Sequence, residues 1–147
     1  MSYMIPPGTY KIANVLYPNR YVCMSGNKDF VGHDVGDTIK VEVKDEVQHL
    51  ATLYDTVTSL YIGIDMLEGK AKGYTEPKEL QLSSTDGKYF ELVRSSCPVV
   101  SKIHAYFRIH MKSSDDVCVL KNDKDWSEIV VEAAPASDEK YWKFEKA

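Results

Sequence analysis

Lys121-Asn122-Asp123-Lys124-Asp125-Trp126-Ser127 brings an indole, an amide and carboxylates together between two strand-like runs. An aromatic face can cover the apolar C–H patch of a pyranose, while neighbouring carboxylates and amides bond its hydroxyls. Asn122, Asp123, Asp125 and Trp126 are therefore the candidate carbohydrate-binding residues. The same composition also suits a polar turn whose tryptophan folds back over the core. Asn27-Lys28-Asp29-Phe30-Val31-Gly32-His33-Asp34 reads as a long loop, able to meet a ligand through Phe30 and His33 or to be plain solvated surface. Glu68-Gly69-Lys70-Ala71-Lys72-Gly73 reads as an exposed lysine-rich turn with the same two readings.

Residues that could catalyse a reaction lack the company they need. Cys97 with His104, or Cys118 with His110, could in principle make a nucleophile pair, but no helix terminus, oxyanion donor or orienting residue accompanies either. Buried structural cysteines account for them. His104 and His110 share a face on a regular strand yet lie about 20 Å apart at strand rise, too far to ligate one metal. Asp115 and Asp116 are adjacent, so an extended chain points them apart. There is no Gly-rich phosphate loop and no zinc spacing. The expectation is a non-catalytic chain with no cofactor and no metal.

Bulk composition narrows the partners. The chain has 147 residues, 44% hydrophobic and 27% charged, which is one globular domain and not a disordered segment. A net charge of -4 argues against nucleic acid as the partner, because phosphate binding needs a basic surface. The longest apolar run falls short of the roughly 20 residues that span a bilayer. Met1 to Pro7 lacks the charged and apolar regions of a signal peptide. The three cysteines do not form a disulfide framework, and no Asn-x-Ser/Thr acceptor occurs. The expectation is a cytoplasmic protein, or one released without a classical signal; a homodimer is left open.

The elements that must position these residues are short strands. Thr9 to Val15 alternates with period two, and β-rich runs recur at Tyr21–Ser25, Thr38–Val43, Leu50–Thr56, Leu60–Asp65 and Glu79–Ser83. Further runs cover Tyr89–Arg94, Ala105–Met111, Val117–Lys121, Glu128–Glu132 and Tyr141–Glu145. Turn clusters such as Ser25-Gly26-Asn27-Lys28-Asp29 and Ser84-Thr85-Asp86-Gly87 separate them. No amphipathic helix of useful length is present, so the chain is all-β, a sandwich or a barrel.

Internal repetition favours the barrel. Tyr10-Lys11-Ile12 and Phe107-Arg108-Ile109 open two strands alike, with Leu53-Tyr54 in a comparable setting. Gln48-His49-Leu50, Lys88-Tyr89-Phe90 and Lys140-Tyr141-Trp142 share a second pattern, a polar residue followed two later by a large apolar one. Three degenerate four-stranded repeats, roughly residues 8–48, 49–96 and 97–147, suit a threefold barrel closed by hairpins, a β-trefoil spanning 1–147. The inward set would be Tyr10, Ile12, Val22, Val41, Leu50, Ile62, Leu80, Phe90, Phe107, Ile109, Val119, Val130, Trp142 and Phe144.

Pro7-Gly8-Thr9-Tyr10-Lys11-Ile12-Ala13-Asn14-Val15, then Tyr17-Pro18-Asn19-Arg20, resembles the opening of mushroom ricin-B-like β-trefoil lectins. Tyr141-Trp142-Lys143-Phe144-Glu145 resembles their closing strand. The resemblance implies a β-trefoil fold and a fungal-type lectin that binds glycans or glycoproteins in defence or recognition. Each repeat of that family carries Gln-x-Trp; here Gln48-His49-Leu50 lacks the tryptophan, Lys140-Tyr141-Trp142 the glutamine, and Lys88-Tyr89-Phe90 both. Where its sugar-binding aspartate falls, this chain has Cys23, Gly63 and Val119. Similar mushroom β-trefoils inhibit serine and cysteine proteases, which implies an alternative: a protease held off by Asn27, Lys28 and Asp29.

Overall fold

A computed structural model describes residues 4–84, 89–94, 99–104 and 106–147, with side chains described outside 85–105. The expectations placed on the Asp86-Gly87 turn, Lys88-Tyr89-Phe90, Cys97 and the His104 side chain lie outside that set.

Period-two alternation folds as strands along the chain. The first eight are β1 (Gly8–Asn14), β2 (Tyr21–Met24), β3 (Phe30–His33), β4 (Ile39–Asp45), β5 (Leu50–Asp55), β6 (Leu60–Asp65), β7 (Lys70–Tyr74) and β8 (Glu79–Ser84). The rest are β9 (Tyr89–Arg94), β10 (Val99–His104), β11 (Tyr106–His110), β12 (Asp116–Leu120), β13 (Ser127–Ala133) and β14 (Trp142–Lys146). Antiparallel pairing runs β1–β4–β5–β8–β11–β14 and back to β1, which closes a barrel and leaves those strands no free edge. The hairpins β2–β3, β6–β7 and β12–β13 meet one another, β13 pairing with both β3 and β7 and Asp29 bridging to Lys72. A six-stranded barrel capped by three hairpins is a β-trefoil. β9 and β10 pair as a separate two-stranded sheet inserted between β8 and β11. Among the described residues no helix is long and apolar enough to cross a membrane.

The core follows the threefold order. Tyr10 and Ile12 of β1 match Phe107 and Ile109 of β11, and all four are buried. Under the hairpins, Val22, Ile62 and Cys118 form one layer and Phe30, Ala71 and Ile129 another, each set buried. Trp142 is buried, and its indole N–H donates to the Cys118 carbonyl at 3.0 Å, which joins barrel to cap. Phe144 is half-buried and meets Tyr10 and Phe107 edge-on, at 5.9 and 5.5 Å between centroids.

The structure corrects parts of the sequence reading. Ile129 (3% exposed), not Val130, is the inward residue of β13, because the strand runs one position out of phase with the expected pattern. The loop expected over 27–34 is a tight turn followed by β3, and the lysine-rich turn leads into β7. Pairing register also places Ile39, Leu80 and Trp142 at matching sites, opposite Tyr10, Ala51 and Phe107. The counterparts of Lys140-Tyr141-Trp142 are therefore Asp37-Thr38-Ile39 and Lys78-Glu79-Leu80. Insertion of β9–β10 upsets the spacing that suggested Gln48-His49-Leu50 and Lys88-Tyr89-Phe90.

The ends of β1 and β5 show the same symmetry with different chemistry. The buried Asn14 Oδ1 accepts the N–H groups of Leu16 and Tyr17, both at 3.1 Å, and its Nδ2 donates to the Glu139 carbonyl at 3.0 Å. Asp55, fully buried, likewise accepts from Val57 and Thr58 through Oδ1, at 2.9 and 3.4 Å, but Oδ2 has no partner. Burial, with Asp37 beside it, pushes the Asp55 carboxyl up to about 7.

Candidate functional site

The turn between β12 and β13 is held from within and from the neighbouring hairpin. Asn122 Oδ1 accepts the Lys124 N–H at 2.9 Å, and the Lys124 carbonyl accepts from Ser127 at 3.3 Å. Trp126 sits at a φ of 67°, an unusual conformation for a bulky residue, and its N–H donates to the Gly32 carbonyl of β3 at 2.8 Å. That bond aims the indole outward over the end of β3. Trp126 is 55% exposed and leans on His33, with ring centroids 4.4 Å apart and planes tilted by 49°.

Charged groups from both hairpins gather at this ring. Asp125 Oδ1 lies 3.5 Å from the Arg20 guanidinium and accepts the Asp34 N–H at 3.3 Å. Arg20 Nε donates to the Asp123 carbonyl at 2.6 Å, so one arginine clips the third hairpin onto the β1–β2 turn. His33 Nδ1 faces both the Val35 N–H at 3.1 Å and Asp34 Oδ1 at 2.9 Å; the first contact needs a bare nitrogen and the second a protonated one. A depression of about 220 Å³ opens beside Asp123, walled by Tyr17, Pro18, Asn19 and Arg20.

This arrangement has the parts for holding a sugar: a half-exposed indole, exposed carboxylates that accept hydrogen bonds, and an arginine already fixed in place. His33, Asp34 and Asp125 offer ligand atoms within 4.8 Å of one another. Arg20 already supplies the positive charge at Asp125, so a metal ion would compete with it.

All four residues named from sequence, Asn122, Asp123, Asp125 and Trp126, lie in this one exposed turn. Asn122 shapes the turn, Asp123 lends its carbonyl, and Asp125 and Trp126 face the first hairpin. His33 joins them, whereas Phe30 is 1% exposed and belongs to the core, because β3 alternates inward and outward. Arg20 and Asp34 were not singled out from sequence; the one available signal was their place beside strand ends next to His33.

The other candidates are engaged elsewhere. Asn27 and Lys28 form a short turn in which Lys28 N–H donates to the Ser25 carbonyl at 3.2 Å and Ser25 N–H to Asp29 at 2.8 Å. Lys28 has a φ of 64°, far from the extended backbone with which peptide strands pair. Asp29 is occupied by Lys70 at 3.2 Å and Lys72 at 3.8 Å, and Lys72 also pairs with Glu68. Burial pushes the Cys118 thiol up to about 12, and burial with Asp37 pushes Cys23 to about 11, so neither is a ready thiolate.

No family model matches the chain, and no curated protein matches it. Solved structures do. A mosquitocidal holotoxin aligns with 98% of this chain at a TM-score of 0.74 and 16% identity; the chain spans only 18% of that protein. The Rhizoctonia solani agglutinin matches over 99% of each chain, with a TM-score of 0.71 and 18% identity. The Macrolepiota procera ricin B-like lectin, solved in complex with lactose, matches over 99% of this chain and 100% of its own, with a TM-score of 0.72 and 16% identity. At these identities the likeness is one of fold. The chain is an all-β trefoil, similar in architecture to the ricin B-like lectins.

Proposed function

We propose that the chain is a non-catalytic, lectin-like carbohydrate-binding protein whose site is centred on Trp126. The observation that carries this is the half-exposed indole, propped on His33 beside the linked charges of Asp34, Asp125 and Arg20. A pyranose would lay its apolar face on the free side of the ring and bond its hydroxyls to the carboxylates and to Asn122 or Asp123. The lactose-bound trefoil of similar fold adds support.

The experiment is a glycan array with the labelled chain, run beside Trp126→Gly. Glycine accepts a φ of 67° without strain, so this variant removes the ring and keeps the turn. Selective binding that falls by tenfold or more in the variant, with an unfolding midpoint no lower than that of the wild type, is the expected result. An array left blank by folded protein, or binding untouched by the substitution, would refute the proposal.

A further inference from the structure

A larger cleft, of about 480 Å³, lies on the outer face of β8 and β11 and shares no residue with the Trp126 site. Its volume is in the range of small-molecule pockets. In the β8–β11 register Arg108 faces Ser83 and His110 faces Gln81, so period two sets these four polar side chains on one face. Between them Leu82, Phe107 and Ile109 point into the core. Ser113 and Ser114 of the following loop form the rim.

Gln81, Ser83 and His110, which share this face with Arg108, are committed to one another or to main chain. Gln81 donates to the Gln48 carbonyl at 2.8 Å and accepts the Ser113 N–H at 3.2 Å. His110 Nδ1 is 2.8 Å from the Met111 carbonyl, which can only accept, so that nitrogen carries the proton. Its Nε2 is then bare and accepts the Ser83 hydroxyl at 2.6 Å. Arg108 is the exception. Its Nε is shut off from solvent and, among the described residues, has no hydrogen-bond partner, and no salt bridge joins the group to the acidic Asp115 on the rim.

A guanidinium whose buried Nε lacks a partner is costly, and its remaining N–H donors can hold a carboxylate or sulfate bidentately. We infer that this cleft is a second binding site, taking the carboxylate or sulfate group of an acidic saccharide with Arg108 as its anchor. Ser113 and Ser114 stand where hydroxyls of the attached ring would meet them. The saccharide part rests on the carbohydrate-binding reading above; the anion part rests on the cleft alone.

The test is a titration of the ¹⁵N-labelled full chain with glucuronate, with galactose 6-sulfate and with galactose, followed by amide shifts. The acids should move the amides of Ser83, Ser113 and Ser114. Arg108→Gln should weaken both acids by tenfold or more, and Trp126→Gly should leave the response of this cleft unchanged. Whichever acid binds more tightly identifies the group as carboxylate or sulfate. No shift in the cleft with either acid, or equal affinity in Arg108→Gln, overturns the inference. Removing Arg108 strands no partner, so the variant should fold; Ser83→Ala gives a second probe of the same cleft, expected to weaken both acids. Neutral-sugar binding lost in Trp126→Gly and acid binding lost in Arg108→Gln are separate readouts, so either reading can fail alone.

Discussion

Replacing Asp55 by asparagine should make the protein more stable at pH 8. Asp55 is fully buried at the end of β5, and its carboxyl is pushed from 3.8 up to about 7 by burial and by Asp37. Asp37, held by the Met24 N–H at 3.0 Å and by the Cys23 thiol at 3.7 Å, stands beside it. Between those two pH values the folded chain holds a proton that the unfolded chain has released. Stability from this group is thus fully present below the unfolded value and is lost as pH rises through about 7. Three pKa units correspond to roughly 4 kcal/mol at most, and relaxation of the coupled pair reduces that to about 1–3 kcal/mol. Asparagine keeps the Oδ1 acceptor for Val57 and Thr58 and turns the unpartnered Oδ2 into an N–H that can donate to Asp37. The molecule already contains this solution, since Asn14 does the same at the end of β1. At pH 8 the variant should gain about 1–3 kcal/mol, or about 3–10 °C in Tm. At pH 4 it should match the wild type within about 1 kcal/mol. Urea unfolding at pH 4, 6 and 8 is the assay. A variant less stable at pH 8, or one with the same pH slope as the wild type, refutes the reasoning.

The remaining predictions concern the cap and the second cleft. Phe30→Ala should cost about 3–5 kcal/mol in chemical denaturation, because Phe30 fills the cap layer opposite the small Ala71; a loss below about 1 kcal/mol would place it outside the core. His110 should be neutral at pH 7 with its proton on Nδ1, and should titrate below 6.5, since burial disfavours the charged ring. Its sign is opposite to that of Asp55: the unfolded chain takes the proton first, so this histidine's contribution is lost as pH falls below 6.5. Long-range ¹H–¹⁵N spectra read the tautomer directly, and an Nε2-protonated ring at pH 7 would contradict it.

The barrel was legible because its strands carry a clean alternation, as in Tyr10 and Ile12 or Phe107 and Ile109, all buried as the pattern requires. The turn bearing Trp126 was legible because an indole among polar residues has no local partner to bury against. β3 and β7 escaped notice for a physical reason. Each is short and contains a glycine, Gly32 or Gly73, and each is made a strand by pairing with its neighbour across a tight turn. Arg20 and Asp34 escaped for another. Their bonds to the third hairpin join residues 103 and 91 apart in sequence, and no local pattern encodes such a meeting.

The three cap turns show how one scaffold leaves room for unequal function. Lys28, Gly69 and Trp126 have φ values of 64°, 68° and 67°, so each hairpin turn holds one left-handed residue, two positions before the inward Phe30 and Ala71 and three before Ile129. The hairpins interlock through main chain: Gly73 N–H to the Lys28 carbonyl, Val131 N–H to that of Gly69, and Trp126 N–H to that of Gly32, each at 2.8 Å. Main-chain bonds do not specify a side chain, and glycine would suit all three positions best. A non-glycine residue there carries about 1–2 kcal/mol of strain. At Trp126 the contact with His33 offsets part of this, since an aromatic pair contributes about 0.5–1.5 kcal/mol. The rest of that strain remains at an outward indole that fills no part of the core. Lys28 is as strained and as exposed, so it is the indole standing on His33, together with the strain, that points the search for a binding role to Trp126.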